Sequence, residues 1–102
     1  MILHSVYCDF RADAADAQRN DVLEALAQFS EALEGVLGFD FGPNRDFEGK
    51  SARFDAGFVI RFADREAVEA YALHPTHQKL GARLCELCNG GAEGIMVFDL
   101  EV

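Results

Sequence analysis

The apolar positions change period several times along the chain, and each change marks an element. Residues 2 to 10 carry Ile2, Leu3, Val6, Tyr7, Cys8 and Phe10 with polar residues between them, bounded by the charged stretch Arg11 to Asp16, which predicts a first strand. From about Asp16, Val22, Leu26, Phe29 and Leu33 recur at helical spacing with Leu23 and Ala27 beside them, so a helix follows. Asp13 or Asp16 is placed to accept amide hydrogens of its first turn, and Gly35 suits the left-handed position past its end. Leu37, Phe39 and Phe41 then alternate with Gly38, Asp40 and Gly42, the period of a strand with one buried face, which stops at Pro43. The polar stretch from Pro43 to Ser51 fits a mobile connection. After it, Phe54, Ala56, Phe58, Ile60 and Phe62 place five apolar side chains on one face of a third strand.

Asp64 is placed to cap a short helix with Ala67, Val68 and Tyr71 on its inner side. Pro75 interrupts that helix and starts another, whose stripe of Leu80, Leu84, Leu87 and Cys88 runs to Asn89-Gly90-Gly91. Residues 94 to 102 make a last strand. The order β-α-β-β-α-β predicts one α+β domain of ferredoxin-like topology spanning residues 1–102.

Two helices cover only one side of such a sheet, yet apolar side chains occupy both sides. In the first strand Val6, Cys8 and Phe10 share one face while Leu3 and Tyr7 share the other. In the last, Ile95 and Val97 oppose Met96, Phe98 and Leu100. A second sheet is the simplest cover for the remaining apolar surface, so the expected assembly is a homodimer whose sheets face each other as a dimeric α/β barrel. The helix-facing or partner-facing orientation of Phe98 is left open by the pattern.

Composition narrows the partners. Nine basic residues against eighteen acidic ones give a net charge of −9, which repels phosphate backbones and anionic headgroups, so neither nucleic acid nor a membrane is an expected partner. The N-terminal segment lacks a basic region before its apolar residues and meets Asp9 early, unlike a secretory signal. Three cysteines without a framework spacing fit reduced thiols, and a cytoplasmic location is expected.

The segment Tyr71-Ala-Leu-His74-Pro75-Thr-His77 resembles the Tyr-x-x-His-Pro-x-His signature of the stress-responsive A/B barrel (Dabb) family. The resemblance extends to His4 in the first strand, the Gly35-Val36 turn and the closing Val97-Phe98-Asp99 strand. It implies a ferredoxin-like dimer in which two four-stranded sheets close into a barrel. One plant member of that family is a cofactor-free cyclase of linear polyketides, and its active-site tyrosine and histidine fall at Tyr71 and His77. A pocket histidine of its first strand falls at His4, and another, of its third strand, falls at Ala56.

The residue types support that chemistry independently. A histidine titrating near neutrality can take an α-proton from a ketone, and a tyrosine hydroxyl can donate to the developing enolate oxygen. His77 and Tyr71 are the candidate catalytic residues. Tyr71 and His74 are three apart on one helix face, and His77 lies in the first turn after the break, where the positive helix end favours a neutral ring. His4, His74, Val6, Leu26, Phe58 and Leu80 are the expected lining of a small-molecule pocket between helices and sheet. The bland alternative makes Tyr71 a core aromatic and His77 a solvated side chain.

A metal held by His4, His74 and His77 is less favoured, since such sites usually add a carboxylate or thiolate. Cys85-Glu-Leu-Cys88 lies in the last turns of a helix, where the dipole disfavours thiolate, so these cysteines are expected to be structural. No cofactor is expected. The function expected is binding of a small organic molecule by a homodimer, with cyclase or isomerase chemistry on a polyketide-like ketone, or a non-catalytic structural role, as the alternatives.

Overall fold

A computed structural model describes residues 1–102 as a four-stranded antiparallel sheet with three α-helices. The elements are β1 (Ile2–Cys8), α1 (Asp16–Glu31), β2 (Val36–Pro43), β3 (Ala56–Phe62), α2 (Arg65–Leu73), α3 (Pro75–Glu86), a 3₁₀ turn (Gly91–Gly94) and β4 (Ile95–Glu101). The sheet order is β2-β3-β1-β4, the ferredoxin-like arrangement.

Several local signals act as the sequence implies. Asp64 Oδ1 accepts from the Ala67 amide at 2.9 Å and starts α2. Pro75 is the first residue of α3, where its missing N–H costs nothing. Gly35 adopts φ +84°, and a Cβ there would stand 2.6 Å from the Ala67 methyl, so the turn into β2 also packs on α2.

Other details differ. Neither Asp13 nor Asp16 caps α1: the Arg11 guanidinium holds the Asp13 carboxylate at 2.9 Å, and the Ala15 amide donates instead to Gln18 Oε1 at 3.0 Å. Leu37, expected to alternate inward with Phe39, is 58% exposed because a bulge between Val36 and Gly38 moves it out of phase. Phe54 precedes β3 and does not extend it. The connection after Pro43, expected to be mobile, is tied down internally. Asn44 Nδ2 donates to the Phe54 carbonyl at 2.9 Å, and Asp46 Oδ1 accepts from the amides of Lys50 and Ser51.

The core lies between the helices and one sheet face. Val6, Cys8, Phe39, Phe58, Ile60 and Phe62 come from the sheet, and Val22, Leu23 and Leu26 from α1 close over them. Burying a side chain of this kind contributes roughly 1.5–3 kcal/mol against the entropy of ordering it. The opposite face carries Leu3, Ser5 and Tyr7 of β1, paired with Leu100, Phe98 and Met96 of β4. No helix covers it: Met96, Phe98 and Leu100 are all exposed. Phe98 thus points away from the helices, resolving the orientation that the pattern left open. No helix is long and apolar enough to cross a membrane.

Candidate functional site

Three rings from three elements meet at one corner of the helix-covered face. His4 comes from β1, Tyr71 from the last turns of α2 and His77 from the first turn of α3. The Tyr71 ring centroid is 4.2 Å from that of His77 and 5.7 Å from that of His4. Phe62, 5.3 Å from Tyr71, forms the floor, and Phe29 of α1 stacks on the other side at 6.2 Å. His77 is therefore not a stray solvated ring, and Tyr71 is both a core aromatic and a neighbour of two imidazoles.

Hydrogen bonds engage Nδ1 of both imidazoles. His4 Nδ1 lies 2.6 Å from Asp99 Oδ1, its partner residue across the β1–β4 ladder. An ionised carboxylate only accepts, so Nδ1 of His4 donates to it. His77 Nδ1 lies 3.2 Å from the Ala72 carbonyl, which imposes the same assignment on His77. In both rings Nε2 is the nitrogen left out of these bonds.

Burial pushes the His77 pKa below its ordinary value, while the bond to the Ala72 carbonyl acts the other way. The direction is the one expected from the helix end, but loss of solvent is the main cause. Burial also pushes the Tyr71 phenol well above its ordinary value, keeping it a proton donor. The Ser30 hydroxyl is near enough to oppose that shift, yet Ser30 Oγ has no partner in hydrogen-bond geometry.

His74 sits differently. Its backbone ends α2, and its Nδ1 accepts from the Thr76 amide at 3.1 Å to cap α3, with its ring 4.8 Å from Phe29. Val6, Leu26, Phe58 and Leu80, expected to line a pocket, pack within the core cluster. An open cleft of about 940 Å³ lies on the other sheet face, under the connection that follows Pro43, with Tyr7, Phe54, Met96 and Phe98 on its walls. Of the expected lining residues only Phe58 reaches it. Asp99 and Phe29 were not singled out as site residues from the sequence. Asp99 becomes visible only when β4 is paired with β1 in register, which sets it opposite His4.

Known proteins agree with this architecture. The description of the family matched over residues 2–102 is stress responsive A/B barrel domain. A dimeric ferredoxin-like protein of unknown function from Jannaschia sp. is 42% identical, with 99% of this chain and 98% of that one covered and a TM-score of 0.93. A Dabb family protein with a ferredoxin-like fold from Mesorhizobium loti is 20% identical, with coverage of 99% and 95% and a TM-score of 0.76. The hydroxynitrile lyase of Passiflora edulis shares the fold at 11% identity, with coverage of 99% and 92% and a TM-score of 0.84. No curated protein matches the sequence. With the family pattern running through the whole domain and the Jannaschia protein so similar in sequence and shape, this chain belongs to the stress responsive A/B barrel (Dabb) family.

Proposed function

We propose that this protein is a homodimer that binds a small carbonyl-bearing organic molecule at the corner formed by His4, Tyr71 and His77. The observation that carries the reading is the meeting of the Tyr71 ring with two imidazoles, 4.2 Å and 5.7 Å away between centroids, whose Nδ1 atoms are both engaged in hydrogen bonds. Such a set suits a ligand with an oxygen to receive the Tyr71 proton and an acidic C–H or O–H to face Nε2 of a histidine.

Pairing through the open sheet face is part of the reading. Leu3, Tyr7, Met96, Phe98 and Leu100 form an apolar surface of the kind that a partner covers, and the Jannaschia relative is dimeric. The acidic surface leaves nucleic acid and membranes as poor partners, and a cytoplasmic location fits three unpaired thiols.

The Asp99–His4 pair favours chemistry over simple storage, because a carboxylate bonded to Nδ1 holds the imidazole in one orientation. Cofactor-free cyclisation or isomerisation of a polyketide-like ketone is the reaction class it suits. A lyase built on the same fold shows that the fold accommodates catalysis.

Native mass spectrometry of protein purified without denaturation tests the reading. A dimer near twice 11.2 kDa carrying a small organic adduct is expected, with the adduct lost in His77→Ala while the circular dichroism spectrum is kept. If a panel of β-diketones and polyketide-like thioesters neither binds nor turns over, and His77→Ala changes nothing, the corner is structural and the proposal fails.

A further inference from the structure

The connection that follows Pro43 holds one side chain out from the fold. Phe47 is 95% exposed, more than any other large apolar residue of the chain. The backbone beside it is braced. Asp46 adopts φ +45°, a left-handed conformation that residues other than glycine rarely hold without support. Its carboxylate supplies that support, because Oδ1 accepts from the Lys50 amide at 2.8 Å, the Ser51 amide at 2.9 Å and the Ser51 hydroxyl at 3.0 Å. The Asp46 amide in turn donates to Asn44 Oδ1 at 3.0 Å. Phe47 is thus presented by a tied segment at the rim of the cleft on the open sheet face.

Beneath that rim the sheet has a hollow. Gly42 of β2 and Gly57 of β3 are register partners, and Gly57 pairs on its other side with Tyr7 of β1, so both glycines belong to the face opposite the helices. Neither contributes a side chain there. A Cβ at Gly42 would meet nothing within 4 Å. Tyr7, Phe54, Met96 and Phe98 wall the space, an enclosure suited to an aromatic ring packed edge-to-face or offset against them.

We propose that Phe47 is a dimer anchor, its ring seated in the hollow over Gly42 and Gly57 of a second copy of this chain while the second copy's Phe47 seats reciprocally in the first. The inference rests on the pairing through the open face proposed above, and adds to it the residue and the seat. Phe47 borders the cleft of its own chain yet is left almost wholly exposed, so its own hollow is not where the ring is buried. The cleft is continuous with the face that the partner covers, since Tyr7, Met96 and Phe98 belong to both. A covered phenylalanine buries on the order of 200 Å², about a quarter of the ~800 Å² per partner that a stable interface needs. A two-fold interface makes the contact twice.

The chain contains no tryptophan, so Phe47→Trp introduces a single fluorescent reporter at the anchor. Its emission is expected to be blue-shifted in the dimer and to move to the solvent-exposed position on dilution into monomer or in the Phe98→Asp background. Phe47→Ala is expected to raise the dimer dissociation constant about a hundredfold or more in sedimentation velocity. Gly42→Leu has room in the monomer and fills the seat, so it is expected to weaken the dimer as well, and to add little when combined with Phe47→Ala. Solvent-exposed emission in the dimer, or an unchanged dissociation constant for Phe47→Ala, would overturn the anchor while leaving the dimer standing. Emission that stays blue-shifted at every dilution would mean that the ring closes over its own cleft, and additive losses would mean that Gly42 is not the seat; either result also overturns the proposal. A chain that is monomeric at micromolar concentration removes the pairing itself, and the anchor with it.

Discussion

Phe98→Asp separates the two roles that an apolar residue on β4 can have. Phe98 is 49% exposed and sits across from Ser5 on the open face, with its ring 6.2 Å from that of Tyr7. A phenylalanine buries on the order of 200 Å² when fully covered, so about half of that remains for a partner to cover. At ~25 cal/mol per Å² the loss is roughly 2.5 kcal/mol per protomer. A two-fold interface contains the substitution twice, which raises it to about 5 kcal/mol before the cost of desolvating two carboxylates. The dimer dissociation constant is expected to rise by more than about three powers of ten. Sedimentation velocity over a nanomolar-to-micromolar dilution series reads this directly, and circular dichroism checks that the monomer stays folded. A variant that remains dimeric with an unchanged dissociation constant would refute pairing through this face. Loss of the folded monomer would refute the orientation of Phe98 instead.

Other expected outcomes rest on the corner and on one turn. Tyr71→Phe keeps the ring contacts with Phe29, Phe62 and His77 and is expected to change stability by less than about 1.5 kcal/mol in urea titration while abolishing ligand binding; retained binding would make Tyr71 a packing residue only. Because burial lowers the His77 pKa, the folded state resists protonation. The contribution is intact above the unfolded value near 6.5 and is lost as pH falls below it. Proton NMR should place the His77 midpoint below 6.5, and His77→Gln should flatten the stability profile between about pH 7 and pH 5; a midpoint above 6.5 contradicts the assignment. Gly35→Ala meets both a φ of +84° and the Ala67 methyl at 2.6 Å, so a destabilisation of about 2 kcal/mol or more is expected in thermal melts. A neutral result would mean that the turn relaxes freely.

What the sequence discloses is mostly local. The stripe Val22, Leu26, Phe29, the cap at Asp64 and the break at Pro75 each act within a few residues, so periodicity and capping chemistry reveal them. Details decided by competition are hidden. Asp13 is a plausible cap until Arg11 claims its carboxylate, and Leu37 alternates correctly until a bulge removes it from phase. The candidate corner divides in the same way. Tyr71, His74 and His77 lie within seven residues and stand out together, whereas the Asp99–His4 contact arises from a pairing across nearly the whole chain. Such contacts leave no periodic trace. The register of β1 with β4 creates this one.

The interruption at Pro75 has a geometric consequence for the rings that flank it. In a continuous α-helix, residues six apart are separated by about 600° of rotation and about 9 Å of rise, so side chains at such positions diverge by roughly a third of a turn. Tyr71 and His77 are six apart, yet their rings stand 4.2 Å from each other. The extended backbone of His74, with ψ at 130°, resets the rotation between the two helices. An unbroken second helix on the same sheet would present the same phenol and the same imidazole to different neighbours. The ring contact is thus a property of the discontinuity itself, and sequences that share every ring but heal the break would carry the letters of the corner without its geometry.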